Sequence, residues 1–248
     1  MIYMVVMNDK KAKAHNPNAG HRERMRARYK KGGIEAMADH EIVELLLFYA
    51  VPRRDTNKIA HGIIHEFGSL HALLESDVDQ IQKRCGLSEN TATLLSMLLP
   101  IARRYDISKW GTRVNFANTK AMANYLKSLF IGQTAECFYL LCLDNRDSLI
   151  SATLLERGTL DRAELYPREI MKCVLASNAA YVILAHNHPS GSLEISDADV
   201  KTTQYLISML SSVEVAVLDH IICGGQSYVS FAEKRILGLV GIEGLSKK

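Results

Sequence analysis

Five consecutive apolar residues, Tyr181-Val182-Ile183-Leu184-Ala185, run directly into His186-Asn187-His188-Pro189-Ser190-Gly191, and that junction narrows the folds open to the chain. A short apolar run closed by a Pro-Ser-Gly-Ser break predicts a buried strand ending at His186, with a polar cluster at its mouth. Side chains alternate along extended chain, so His186 and His188 point to one side and Asn187 to the other. Two imidazoles on one side, followed by a turn and a carboxylate, form the ligand set of a zinc ion that keeps one position open for water.

After the turn, Ser196 precedes a polar-to-apolar run from Asp197 to Leu210, with Val200, Leu206, Ile207 and Leu210 near helical spacing. Ser196 is a natural N-cap, and Asp199 falls in the first turn, where backbone amides and the helix dipole favour a negative side chain. Ser-x-x-Asp pairs are common helix starts in their own right. Beside two histidines, Asp199 also reads as the third metal ligand; Asp197, at the less favourable first helical position, is the competing carboxylate.

These residues resemble the JAMM (MPN-plus) metallopeptidase motif: His-x-His-Pro, seven residues between His188 and Ser196, and two more before Asp199. The longer string HNHPSG, with Pro167-Arg168-Glu169 upstream and Asp219-His220 downstream, is similar to the RadC-type branch of that family. The likeness continues through Asp39-His40-Glu41-Ile42-Val43-Glu44-Leu45-Leu46 and Phe67-Gly68-Ser69-Leu70, so it covers nearly everything beyond the first twenty residues.

With 248 residues and 48% hydrophobic content, the chain can build one large or two small domains with real cores. Met1 to Met7 is apolar but short, with its charges after it, the reverse of a secretory signal. No apolar run approaches the ~18 residues of a membrane span, which predicts a cytoplasmic protein without a membrane partner. Cys85, Cys137, Cys142, Cys173 and Cys223 form no C-x-x-C pair and are odd in number, which argues for buried thiols and against a disulfide framework or a zinc ribbon.

Charge is uneven. Lys10 to Lys31 holds nine basic residues against one acidic residue, Glu23, and Gly32-Gly33 closes the segment. This stretch, residues 1–31, reads as a basic flexible arm, either solvated or touching nucleic-acid phosphates. Helical spacing follows in Asp39 to Val51, Thr56 to Phe67, Leu70 to Leu74, Val78 to Lys83, and a helix reaching Tyr105. Cys85-Gly86-Leu87-Ser88-Glu89-Asn90-Thr91-Ala92 resembles the second half of a helix-hairpin-helix, whose amides cradle a DNA phosphate, except that Ser88 stands where the second glycine of Gly-x-Gly belongs. The pattern turns strand-like near Trp110, which sets the expected domains at 32–110, a small helical bundle, and 111–248.

The second domain opens with a helix from Thr119 to Phe130. A hairpin of Glu136 to Leu143 and Leu149 to Leu155 follows, then a helix from Pro167 to Ser177, the histidine strand and the Ser196 helix. The last strands are Val213 to Leu218, Ile221 to Cys223 and Tyr228 to Phe231. The order predicts an α/β sandwich around a central mixed sheet, the JAMM/MPN architecture that the resemblance implies.

The resemblance further implies zinc held by His186, His188 and Asp199, with a glutamate about fifty residues upstream as the base. Glu136 matches that position, at the mouth of a core strand; Glu156, on the second hairpin strand, is its rival. The implied chemistry is attack of activated water on an amide carbonyl, with Glu136 moving the proton and Ser196 donating to the oxyanion. Asn187 replaces the Ser or Thr that many members carry between the histidines. Asp219-His220 either orients a metal ligand or forms a buried hydrogen-bonded pair. Two function classes follow: a zinc hydrolase acting on a peptide or protein, and a DNA-associated module in which arm and bundle dock on nucleic acid.

Overall fold

In the computed structural model the apolar run becomes the central strand of a five-stranded sheet ordered β2-β1-β3-β4-β5. The strands are β1 (Cys137–Leu143), β2 (Leu149–Arg157), β3 (Tyr181–His188), β4 (Ala216–Gly224) and β5 (Ser227–Ser230). The structure describes residues 19–52, 54–111, 114–158 and 167–237. The chain forms two compact units that divide between Leu98 and Leu99. Among the described residues no helix is long and apolar enough to cross a membrane.

The first unit is helical: α1 (Ala19–Gly32), α2 (Asp39–Ala50), α3 (Thr56–Phe67), α4 (Leu70–Leu74), α5 (Val78–Cys85) and α6 (Glu89–Ser96). Val43, Leu47, Ala60, Ile63, Leu73 and Ile81 form its core, each contributing on the order of 1–3 kcal/mol through burial. Residues 19–31, expected as part of a flexible arm, are instead helix α1; residues 1–18 and their lysines lie outside the described residues. Two features that a charge count hides fix α1. Met25 is buried against Met37 and Phe48. Arg22 donates to the carbonyls of Phe48 and Val51, at 3.2 and 3.0 Å, and so satisfies acceptors at the end of α2.

The hairpin turn between α5 and α6 tolerates the missing glycine. Gly86 takes the left-handed C-cap at φ 60°, but Ser88 sits at φ −66°, an extended conformation open to any residue, and its hydroxyl accepts from Thr91 N–H. The single helix expected to run to Tyr105 is two, because Pro100 has no N–H for the Ser96 carbonyl; the second is α7 (Leu98–Ser108).

The division of the units therefore falls at the start of α7, a helix earlier than the change of pattern at Trp110. Beyond Leu98 the segment is tied to α8 (Thr119–Phe130): Ser128 Oγ donates to Asp106 Oδ2 at 2.6 Å and accepts from Trp110 Nε1 at 3.3 Å.

In the second unit, period-two alternation sends each strand's residues to two helical layers. Tyr139, Leu141, Ile183, Ala185 and Ile221 pack with Met122, Leu126 and Leu129 of α8. On the other face Phe138, Leu140, Val182, Leu184 and Ile222 meet Ile170 and Val174 of α9 (Pro167–Ser177) and Leu206 and Leu210 of α10 (Asp197–Ser211). β1 pairs antiparallel with β2 and β3, while β3 and β4 are parallel with α10 as their crossover, so the sheet is mixed. β4 is one strand where the sequence suggested two pieces. Asp219 interrupts the apolar pattern, but a register shift and bonds from Ser230 Oγ and Ala232 N–H accommodate it. Cys137, Cys142 and Cys223 are buried, Cys85 and Cys173 half-buried, and all five are free thiols.

Candidate metal centre

β3 runs three residues past its apolar run, and this extension carries His186 and His188 to one face. Asp199 reaches the same point from the first turn of α10. His186 and Asp199 are buried and His188 is half-buried; one ligand atom from each lies within 4.8 Å of the others, a group that could hold a metal ion. His186 Nε2 stands 3.1 Å from His188 Nε2 and 3.2 Å from Asp199 Oδ1. Bonds of ~2.0–2.1 Å to a tetrahedral ion make ligand-to-ligand edges of about 3.3 Å, close to the two spacings made by His186.

The donors' hydrogens also fit. His188 Nδ1 lies 3.0 Å from the carbonyl of Ser192, which only accepts, so Nδ1 carries the hydrogen and a neutral ring turns its Nε2 lone pair toward the other donors. The turn that delivers this carbonyl depends on a glycine across the sheet. Gly224 lies beside His188 in the register, and a Cβ there would stand 2.6 Å from Ser192 O and 2.7 Å from Gly191 O. The pairing of Gly224 with β3 is what makes a residue without a Cβ necessary there.

Asp199 is oriented by its own helix start. Ser196 N–H and Ser196 Oγ–H both donate to Oδ2, at 2.8 and 2.6 Å, and the Asp199 amide returns a 3.1 Å bond to Ser196 Oγ. The capping box and the ligand geometry are thus one arrangement: Oδ2 is bound to the cap and Oδ1 faces His186. Asp197 is exposed and is not in the group.

Asn187 points away from the histidines. Its Oδ1 accepts from Cys137 N–H at 2.7 Å and its Nδ2 donates to the Ala135 carbonyl at 3.1 Å, so the side-chain amide brackets Glu136 on both sides. β1 pairs Phe138 with His186, and carrying that register two residues further sets half-buried Glu136 level with His188. Glu156 pairs with Phe138 from β2, one strand further from the histidines, about 4.8 Å per strand.

His220 lies in the same cluster, 2.8 Å from His186 Nδ1 by its Nε2 and 2.6 Å from Thr203 Oγ1 by its Nδ1. Asp219 turns the other way, to Ser230 and Ala232, and burial raises its carboxyl to about 6 against those hydrogen bonds. Thr203 was missed from the sequence: a threonine within a helix carries no signal of a partner seventeen residues ahead.

Residues 116–236 match the family model described as RadC-like JAB domain. A UPF0758 protein of Fusobacterium nucleatum subsp. nucleatum is 35% identical over 227 residues, covering 89% of this chain and 98% of the relative. A UPF0758 protein of Janthinobacterium sp. (strain Marseille) is 38% identical over 211 residues, covering 85% and 94%. Similarity of this extent takes in the helical unit as well as the metal cluster, and the chain belongs to the RadC-like JAB-domain family whose relatives carry the UPF0758 name.

Proposed function

We propose that this protein is a zinc-dependent hydrolase of amide bonds, with His186, His188 and Asp199 as the metal ligands. One observation carries the reading: three ligand atoms from two elements converge within 4.8 Å, with spacings of 3.1 and 3.2 Å that match the edges of a zinc tetrahedron. A RadC-like JAB domain with such a group fits a metal-dependent hydrolase at family level. Two imidazoles and one carboxylate suit zinc, and three chain ligands are the number found where a fourth position serves catalysis.

A zinc ion held there supplies the Lewis acidity that makes water nucleophilic near neutral pH. Glu136 accepts the proton of the attacking water and passes it to the leaving amine, while Asn187 keeps the base in place through the bonds on either side of it. Ser196 is exposed beside Asp199, and its hydroxyl donates to the carbonyl oxygen as charge develops, after rotating away from Asp199 Oδ2. A DNA-docking role for the helical unit has weaker support, since Arg22 is engaged with carbonyls and Arg28 with Glu41 inside that unit.

The test pairs Glu136→Gln with wild type in zinc binding and in cleavage of a pool of internally quenched peptides. Retained zinc with cleavage reduced at least 100-fold is expected. Cleavage at the wild-type rate removes Glu136 as the base, and inert zinc-loaded wild type across the pool opposes the hydrolase reading.

A further inference from the structure

We propose that the helical unit carries a docking groove for an acidic amphipathic helix of another protein, with α2 as its floor and α1 as its charged wall. The reason lies in α2 itself. A helix that is apolar on every side needs cover on every side, and α2 is such a helix. Val43 and Leu47 enter the core of the unit, and Phe48 packs on Met25 and Met37. What is left, Ile42, Leu45, Leu46 and Tyr49, follows the i, i+3, i+4, i+7 spacing of one further helical stripe. That stripe lines a groove of about 570 Å³, with Leu70 and Leu74 of α4 also in its wall.

Exposure decides what kind of occupant fits. Tyr49 is 72% exposed, Tyr29 48% and Ile34 47%, so the walls stand in solvent, whereas a small-molecule site buries most of its ligand. Two tyrosines, an arginine and aliphatic side chains around a concave apolar strip are the composition of a protein-docking centre, where Tyr and Arg anchors carry much of the binding energy. An amphipathic helix laid in such a groove anchors itself through a stripe of its own at i, i+3, i+4 and i+7.

Charge specifies the partner further. Arg26 and Lys30 lie four residues apart on α1 and both line the groove, whose lining holds no carboxylate. Among the described residues neither is in an ion pair, while Arg22 and Arg28 of the same helix are engaged with carbonyls and with Glu41. The Arg26 guanidinium stands 6.0 Å from the Tyr49 ring, so charge and aromatic anchor are neighbours. Like charges four residues apart on a helix repel, and carboxylates laid beside them remove that repulsion. The complement of this surface is a helix with an apolar stripe for α2 and Asp or Glu on the flank that meets α1. A phosphate backbone would satisfy the cations and leave the apolar stripe bare.

The groove belongs to the helical unit and does not depend on the metal centre, so zinc content serves as a control in its test. The whole protein is titrated against two fluorescein-labelled helical peptides that share a Leu stripe at i, i+3, i+4 and i+7 and differ only in one flank, Glu in the first and Lys in the second. Fluorescence anisotropy should show saturable binding of the Glu peptide, at least ~10-fold tighter than the Lys peptide at low salt, with the advantage shrinking as salt rises. Tyr49→Ala, at an exposed position, should weaken the Glu peptide about 10-fold with the unfolding midpoint unchanged. The double variant Arg26→Glu with Lys30→Glu, its fold checked by circular dichroism, should prefer the Lys peptide.

No saturable binding, equal binding of the two peptides, or a preference that the double variant leaves as it was overturns the proposal. Glu-peptide binding that Tyr49→Ala leaves intact places the peptide elsewhere and overturns it as well. So does tighter binding to vesicles of anionic phospholipid than to the Glu peptide.

Discussion

Each unit buries a carboxylate almost completely, Glu44 in the helical unit and Asp199 beside the sheet, and the two differ in what their oxygens face. Glu44 meets only donors: His21 Nε2 at 3.0 Å and Thr56 Oγ1 at 3.5 Å on one oxygen, Asn57 Nδ2 at 2.9 Å on the other. Those bonds tie α1, α2 and α3 together. Asp199 divides its oxygens: Oδ2 is held by its own helix cap, and Oδ1 lies 3.2 Å from His186 Nε2 in the group that could hold a metal ion. The one carboxylate fastens three helices to one another, whereas the other joins a helix start to the histidines of a strand.

The largest expected effect comes from disturbing the metal side at a distance from its ligands. Gly224→Ala puts a Cβ against two backbone oxygens of the turn after β3, which should cost about 1–3 kcal/mol of stability. By moving the Ser192 carbonyl off His188, it should also lower zinc affinity at least 10-fold. Urea unfolding and chelator competition read the two effects, and wild-type affinity in a folded variant would break the link between this strand pair and the site.

Asp219→Asn separates a buried carboxylate of the sheet unit from the metal. The Asp219 pKa, about 6, lies above the ~3.9 of an unfolded aspartate, so its stability contribution is full below pH ~4 and is lost as pH rises through about 6. Asparagine does not titrate and still accepts the His220 and Ala232 amides, which Asp219 now holds at 2.7 and 3.0 Å. The variant should therefore gain on wild type across that window, by up to about 3 kcal/mol at pH 7 and above. A stability difference that is flat from pH 4 to 8 would contradict the burial of a charge.

Glu44→Gln has the smallest effect and sharpens the contrast. It sets an amide hydrogen against a donor and should destabilise the helical unit by about 1–2 kcal/mol, with zinc stoichiometry unchanged. Loss of zinc would show that this carboxylate is not confined to fastening its helices.

The sequence displayed the parts of this molecule that local rules govern. Thr56 to Phe67, Thr119 to Phe130 and Pro167 to Ser177 appear as helices at their expected bounds, because apolar spacing and the residues at their ends agree. The convergence of His186, His188 and Asp199 was legible for a similar reason, since strand alternation and a helix start fix two short segments joined by one turn. Residues whose role depends on distant chain stayed hidden. Thr203 acts through β4, Gly224 through the turn after β3, and Asn187 through the segment before β1, none of which leaves a periodic trace. The basic run misled for the complementary reason: charge density resembled a solvated arm, while Met25 and the reach of Arg22 decided for a packed helix.

Metal content of the purified whole protein tests the central claim most directly. Wild type, His188→Ala and Asp199→Ala would be dialysed against metal-free buffer, offered one equivalent of zinc, dialysed again and analysed for elements, with circular dichroism confirming the fold. About one zinc per chain in wild type and none in either folded variant is the predicted result. Folded wild type that retains no zinc, or variants that retain it fully, would contradict the assignment of His186, His188 and Asp199 as a metal centre.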